Sequence, residues 1–357
     1  MRIPYTLERL GVIMRGDPND PDTEWGVLNP ASARRSDGTL LLFPRLVARG
    51  NVSRIGRARV VVDRHGLPVG AELESIVLAP DETWERHRTG GGVEDPRISR
   101  VDALGLWVMA YTAYGPLGPR VALAVSADLD SWDRLGPVTY GYEPALGVDL
   151  NLCLNKDAAV FPDPVPGPPD GEPAIAMLHR PTWDLDSTRP DEPGPAPTGL
   201  ADRRPGIWVS YVPLAAASRD PAALTHVNHH RLVALPDRPW EMLKIGAGTP
   251  PVRVPEGWLM IHHGVAGRLL PGLDHQPQLR YSAGALLLNA TDVARVVARS
   301  VEPLLEPAVE EEREGIVPNV VFPTAIELDG RGDGIVFYGM ADSRIGAARL
   351  RRQLPST

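Results

Sequence analysis

Thirty-eight prolines are distributed along the 357 residues. Inside a helix a proline removes one N–H donor and clashes with the preceding turn, so this spacing excludes long helices and coiled coils. What lies between the prolines is short, rich in β-branched residues and bounded by turn residues, which is the pattern of strands. Strands are predicted at 39–47, 58–62, 106–114, 121–127, 174–179, 207–212, 258–263, 279–288, 319–326 and 334–339. One helix is predicted at 291–299, with Thr291 or Asp292 as its N-cap. The expected class is all-β.

A weak internal repeat organises these strands. Arg54-Ile55-Gly56-Arg57-Ala58, Arg120-Val121-Ala122-Leu123-Ala124 and Arg344-Ile345-Gly346-Ala347-Ala348 share one pattern. Tyr281-Ser282-Ala283-Gly284-Ala285 is a looser copy, and Ile207-Trp208-Val209-Ser210 can hold a fifth place. Copies about 60 to 90 residues apart suit five propeller blades of roughly four strands, with small residues letting inner strands crowd a central axis. The alternative is chance recurrence in a chain rich in Arg and Ala. Residues 162–206 are rich in Pro, Gly and Asp, and 184–206 is too long for an ordinary connection. No linker divides the chain, so one domain spanning 1–357 is expected, with an insertion near 162–206.

Composition narrows the function. A single cysteine, Cys153, excludes a disulfide framework and a multi-cysteine zinc site. A net charge of −8 argues against a nucleic-acid partner. The N-terminal stretch has no apolar targeting core, and no segment reaches the ~20 apolar residues of a membrane span. A cytoplasmic protein without a membrane or nucleic-acid partner is expected, able to form a homo-oligomer. There is no G-x-S-x-G elbow, P-loop or G-x-G-x-x-G after a strand, so serine hydrolase, NTPase and Rossmann chemistries are unsupported.

Two groups of residues remain that can carry chemistry. Gly90-Gly91-Gly92-Val93-Glu94-Asp95-Pro96-Arg97 places a carboxylate pair beside an arginine, which can split two acid pKa values. It also reads as a glycine loop with a surface ion pair. Asn155-Lys156-Asp157, His179-Arg180-Pro181 and His262-His263-Gly264 each place a cation or imidazole at the mouth of an apolar strand. Brought together, Lys156, Arg180 and His263 would form an anion pocket; apart, they are strand-end salt bridges and core histidines. The His226–His230 run and the His262-His263 pair are weak metal candidates that lack further ligands at recognisable spacing. Glu24, Asn29, Arg54, Tyr114, Tyr281, Asn319 and Asp342 sit at strand ends, as sugar-binding polar groups do. Trp183 could supply the aromatic face.

Taken together, these motifs resemble glycoside hydrolase family 130, the β-mannoside phosphorylases and related enzymes. The resemblance runs from Glu24 to Leu350 through Gly26-Val27-Leu28-Asn29-Pro30, Ser53-Arg54-Ile55, Val93-Glu94-Asp95-Pro96-Arg97 and Asn155-Lys156-Asp157. It continues through His179-Arg180-Pro181, His262-His263-Gly264, Tyr281-Ser282-Ala283-Gly284, Pro318-Asn319-Val320 and Tyr338-Gly339-Met340-Ala341-Asp342. It implies a five-bladed β-propeller with the site at its central axis. Asp95 is then the general acid, acting through a hydroxyl of the −1 mannose, and Asn29, Arg54 and Asp342 line that subsite. Glu94, Arg97 and Asp157 fall in the same substrate-binding motifs. Lys156, Arg180, His263 and Tyr281 fall where phosphate is held as co-substrate, with no metal or other cofactor.

An inverting hydrolase needs two carboxylates with water between them. An inverting phosphorylase needs only the acid and a cationic cradle, and one acidic loop among basic strand ends fits that better. Two alternatives stay open: a β-mannoside hydrolase with Glu312 of the acidic run Glu310–Glu314 as base, and a propeller that binds sugar without turning it over. The run also reads as a solvated charged turn.

Overall fold

The computed structural model describes residues 3–183, 194–270, 276–330 and 332–353. Strand β1 (Tyr5–Arg15) precedes a first antiparallel meander of β2 (Gly26–Arg34), β3 (Leu40–Ala48), β4 (Val52–Val62) and β5 (Pro68–Leu78). The second meander is β6 (Gly91–Val101), β7 (Leu106–Gly115), β8 (Gly118–Ser126) and β9 (Asp133–Pro137). After β10 (Thr139–Tyr140), the third contains β11 (Leu154–Val160), the short β12 (Val165–Pro166), β13 (Pro173–Thr182), β14 (Ile207–Pro213) and β15 (His226–Ala234). The fourth is β16 (Lys244–Ala247), β17 (Val252–Val254), β18 (Gly257–Gly267), β19 (Leu279–Leu288) and β20 (Val296–Arg299). The fifth is β21 (Val321–Leu328), β22 (Gly334–Met340) and β23 (Arg344–Arg352), and β1 returns as its outer strand, pairing from Tyr5 with Arg352 to Arg15 with Arg344.

The five meanders make four hydrogen-bonded sheets. The first two are joined where β4 and β6 pair in parallel over only two residue pairs, Val52 with Gly91 and Ser53 with Gly92. The apolar cores alternate with the meanders. One cluster packs Phe43 against Met109 between the first and second, and another packs Leu123 against Ile175 between the second and third. Leu178 and Met260 share the next, and Ile261 and Val336 the one after. Leu42 and Ile345 meet in the last, which returns from the fifth meander to the first. Strands β2 and β6 are buried along nearly their whole length, as expected of strands covered on both faces.

All ten predicted strand segments lie in or overlap observed strands. The helix predicted at 291–299 does not form. The Asn289 side chain accepts the N–H groups of Thr291 and Asp292, closing a turn, and Val296–Arg299 pairs with β19 as β20. The β-branched Val296 and Val297 fit an edge strand, and the sheet takes the backbone groups that a helix would have used. The repeat falls in β4, β8, β14, β19 and β23, the third strand of each meander once the short β12 and β17, which pair off the main path, are set aside. Its small residues make room for neighbouring side chains: a Cβ on Gly284 would lie 2.4 Å from Trp240, and one on Gly346 2.7 Å from Tyr338.

Gly92 adopts φ +118°, and a Cβ there would lie 2.4 Å from the Ser53 carbonyl oxygen. Gly92→Ala is expected to lower stability by about 1–3 kcal/mol or more, since both the strained φ and the β4–β6 junction are affected. Urea unfolding with an unchanged midpoint would contradict this.

Candidate active site

Three first strands break their register at the same place. The slips lie between Leu28 and Ala31 in β2, Glu94 and Arg97 in β6, and Lys156 and Ala159 in β11. Each contains a residue with positive φ: Asn29 at +43°, Asp95 at +48° and Asp157 at +56°. Asn and Asp tolerate this region better than other side-chain-bearing residues, and the resulting bulge re-aims a polar group. The residue just before each slip faces a second-strand residue, Leu28 facing Arg45 and Lys156 facing Arg180. Asp342, at φ +50°, follows β22 in the fifth meander.

These positions converge. Asn29 Nδ2 donates to Asp95 Oδ1 at 2.8 Å, and Arg45 Nη1 approaches the same oxygen at 3.2 Å. Arg45 Nη2 donates to Glu94 Oε1 at 2.8 Å and its Nε to Ser53 Oγ at 2.9 Å. Lys156 Nζ stands 4.0 Å from Asp95 Oδ2. On the other side Asp157 collects basic side chains: Arg180 Nε at 2.6 Å, His263 Nε2 at 3.5 Å and Arg97 Nη2 at 3.9 Å. Lys244 Nζ lies 5.6 Å over the Tyr281 ring, and the rings of Tyr281 and His263 are 6.4 Å apart.

The electrostatics divide the cluster in two. Burial alone would raise Asp95, but the charges of Arg45, Lys156 and Arg97, with the Asn29 amide, hold its carboxyl below the usual range. Glu94 is raised by burial and by the Asp95 charge, against the pull of Arg45. Asp342 is raised to about 6 by burial, Asp95 and Glu94 adding to this while Arg45 and Lys156 oppose it. Burial also raises Tyr281 to about 12. Among the cations, burial together with Arg180 and Lys156 lowers Lys244 to about 7. Burial and the neighbouring cations push His263 well down, so its imidazole is neutral. Asp157 stays ionised, held far below the ordinary range by Arg180, His263, Lys156 and Arg97 despite its burial. An excess of cations over a single carboxylate in a buried space is an anion cradle.

Of the candidates from sequence, Asp95, Glu94, Arg97, Asn29, Lys156, Asp157, Arg180 and His263 are linked by these contacts. Asp342 acts on Arg45 and Asp95 by charge, and Tyr281 stands beside Lys244 and His263. Arg54 pairs instead with Asp22 at 3.2 Å. Glu312 is fully buried; its carboxylate accepts from Arg9 Nε at 2.8 Å, Tyr338 Oη at 3.0 Å and the Ala308 N–H at 2.8 Å. The acidic run is therefore not wholly a solvated turn. Trp183 is no sugar platform: it packs edge-on against Trp208 at 5.8 Å inside an apolar core, because β13 carries it inward. His179 and His262 are structural, His262 bonding to Glu241 at 2.8 Å and His179 to Ser210 at 2.8 Å. His230 accepts or donates at the same Ser210 hydroxyl, and among the described residues no three metal-ligating side chains gather.

Sequence reasoning missed Arg45 and Lys244. Arg45 occupies the same cross-strand place as Arg180, a signal visible once β2 and β11 are aligned on Asn29 and Asp157. Lys244 is one of only two lysines in the chain.

A family profile described as β-1,4-mannooligosaccharide phosphorylase, of glycoside hydrolase family 130, matches residues 6–168 and 221–354. The chain belongs to glycoside hydrolase family 130. The unmatched stretch overlaps the proline-rich segment at 162–206, of which 184–193 lie outside the described residues. The 1,2-β-oligomannan phosphorylase of Thermoanaerobacter sp. strain X514 is 32% identical over 304 residues, 84% of this chain and 79% of that protein. The β-1,4-mannooligosaccharide phosphorylase of Ruminococcus albus is 29% identical over 271 residues, 76% of this chain and 65% of that protein. Among solved structures, the β-1,2-mannobiose phosphorylase of Listeria innocua superposes with a TM-score of 0.68 at 21% identity, covering 96% of both chains.

Arg45 is the cation shared by Glu94 and Asp95. Arg45→Met leaves two buried carboxylates without it and is expected to destabilise the family-130 fold by about 3–5 kcal/mol. Retention of wild-type stability across the pH range would show that the pair is compensated elsewhere.

Proposed function

We propose that this enzyme is an inverting β-mannoside phosphorylase, converting a β-linked mannoside and inorganic phosphate into α-mannose 1-phosphate and a shortened acceptor. The observation that carries the reading is the division of the cluster into a carboxylate end at Asp95 and a cation-rich end at Arg180 and Lys244 beside the neutral His263 imidazole, with Lys156 between them. The names of the relatives support the same class of reaction. On this reading the fold is one domain, a five-bladed propeller. Five meanders, five cores between them and the return of β1 to the fifth meander support it. So does a cavity lined by residues of all five meanders, among them Ser32, Ser99, Pro162, Pro251 and Glu327.

In the reaction the bond from the anomeric carbon to the leaving oxygen breaks, and its electron pair stays on that oxygen. The oxygen takes a proton from Asp95, relayed through a hydroxyl of the −1 mannose. A phosphate oxygen bonds to the anomeric carbon from the opposite face, and the proton brought by dihydrogen phosphate restores the acid. Phosphate needs no base to become a nucleophile, so Glu312 has no part to play. Asp95 is held ionised by Arg45, Lys156 and Arg97 in the free protein. A phosphate anion beside Lys156 offsets that positive field, so arrival of the nucleophile favours the protonated acid. Asn29 and Asp342 would hold sugar hydroxyls, and Arg97 and Asp157 would fix the boundary between the two ends.

Two experiments test this. Mannobiose, β-1,4- or β-1,2-linked, is expected to yield mannose 1-phosphate only with phosphate present, and Asp95→Asn to lower turnover by about 10²-fold or more. Mannose release indifferent to phosphate would establish the hydrolase instead. Lys244 is charged below its pKa of about 7 and neutral above it, so KM for phosphate is expected to rise as pH climbs through 7. In Lys244→Met the KM should be high throughout and lack that component, phosphate's own ionisation being common to both proteins. Identical profiles would remove Lys244 from the cradle.

A further inference from the structure

The third meander carries a string of polar side chains that touches neither sugar nor phosphate in the reaction above. It runs through Asn155, His179, Ser210 and His230, one each from β11, β13, β14 and β15, and all four are buried. His230 Nε2 lies 2.8 Å from the Gly141 carbonyl oxygen, and its Nδ1 lies 2.8 Å from Ser210 Oγ. The same hydroxyl is 2.8 Å from His179 Nε2. Asn155 Nδ2 completes the string at 3.0 Å from His179 Nδ1, nearer than its Oδ1 at 3.3 Å.

Chemistry gives the string a single direction. A carbonyl oxygen only accepts, so His230 Nε2 carries a proton. Burial pushes both imidazoles below their ordinary pKa, His179 well below, so each keeps one proton and one bare nitrogen. His230 Nδ1 then accepts from the Ser210 hydroxyl, whose oxygen accepts from His179 Nε2. His179 Nδ1 is left bare and takes the Asn155 amide N–H. No member can reverse alone, so the string ties four strands together in one arrangement.

What the string backs is the cation pair of the cradle. Asn155 precedes Lys156 and His179 precedes Arg180, and Lys156 and Arg180 are directly opposed across β11 and β13. Successive side chains of a strand point to opposite faces, so the amide–imidazole bond lies behind the two cations. Like charges directly opposed push their strands apart, and the register slip after Lys156 weakens the pairing beside them. The equivalent positions in β2 and β6, just before Leu28 and Glu94, are the fully buried Val27 and Val93. Neither of those meanders opposes two cations there: Leu28 faces Arg45, and Glu94 faces Thr112. The buried amide therefore occurs where two cations have to be held together. We propose that the string from Asn155 to His230 is a brace that sets Lys156 and Arg180 for phosphate, with Asn155, His179 and Ser210 as positioning residues. This role rests on the phosphorylase reading.

NMR of the histidine side-chain nitrogens in the wild type tests the brace itself. His179 and His230 are expected to be neutral and protonated on Nε2, and a proton on Nδ1 of either would overturn the string. Calorimetry with inorganic phosphate tests what the brace does. Ser210→Ala cuts the string at its middle and is expected to weaken phosphate binding about fivefold or more, raising KM for phosphate in step while KM for mannobiose changes less than about twofold. Asn155→Leu cuts it at the cradle end and should show the same split, so it serves where the first variant does not fold. Wild-type phosphate affinity in a folded variant, beside phosphate-dependent turnover by the wild type, would overturn the brace alone. Wild-type turnover that ignores phosphate would overturn the phosphorylase reading, and the phosphate role of the brace with it.

Discussion

One buried guanidinium ties the centre of this protein together. Arg97 is 1% exposed and reaches the third, fourth and fifth meanders. Its Nη1 donates to the Asp95 carbonyl at 2.6 Å, its Nε to the Gly248 carbonyl at 3.0 Å, and its Nη2 stands 3.9 Å from Asp157. The Phe322 ring of the fifth meander lies 5.6 Å from its centre. Taking a charge so far from water is costly unless it is paired and hydrogen-bonded, and here carbonyls from β6 and the segment after β16 share that task with Asp157. The same side chain therefore fixes the backbone of Asp95, the carboxylate of Asp157 and the distance between them.

Around this hub the cluster reuses one local device. A first strand bulges, an Asn or Asp takes a left-handed conformation, and the opposing strand contributes a cation. In β2 the device yields Asn29 with Arg45, and in β11 it yields Asp157 with Arg180. In β6 it yields Asp95, whose cross-strand neighbourhood supplies Thr112 opposite Glu94 rather than a cation. Asp95 consequently borrows Arg45 and Lys156 from the adjoining meanders. This borrowing explains why Asp95 is held low while Asp342, with less cationic compensation, is raised to about 6. A site assembled this way is sensitive to anything that changes its charge, and an incoming phosphate is such a change.

The repeat had a physical basis different from its first reading. Its small residues lie on third strands, where Gly284 and Gly346 make space for Trp240 and Tyr338. Third-strand positions are visible in sequence because packing against a large neighbour demands a glycine or alanine at a fixed offset. The bulges of the first strands were less legible. Asn29-Pro30 and Asp95-Pro96 hint at them, but Asp157-Ala158 carries no comparable mark. The helix at 291–299 failed for a related reason: its periodicity is that of a short apolar run, and only pairing with β19 decides between helix and strand.

The order of short β-branched runs between prolines determined an all-β chain by itself, and the motifs around Asp95, Arg180 and His263 determined its family. These are local properties, written in consecutive residues. Which charges meet was decided only by the tertiary structure. Arg45 and Asp95 are fifty residues apart in sequence, and Arg97 and Gly248 are 151 apart. Nothing local records such distances; they are set by the closure of β1 on β23 and by the cores between successive meanders. The same closure buried Glu312 against Arg9 and Tyr338 and turned Trp183 into core, although both looked available in sequence. Burial and proximity set the ionisation of Asp95, Asp157, Asp342 and Lys244, and both are properties of the fold rather than of any segment in it.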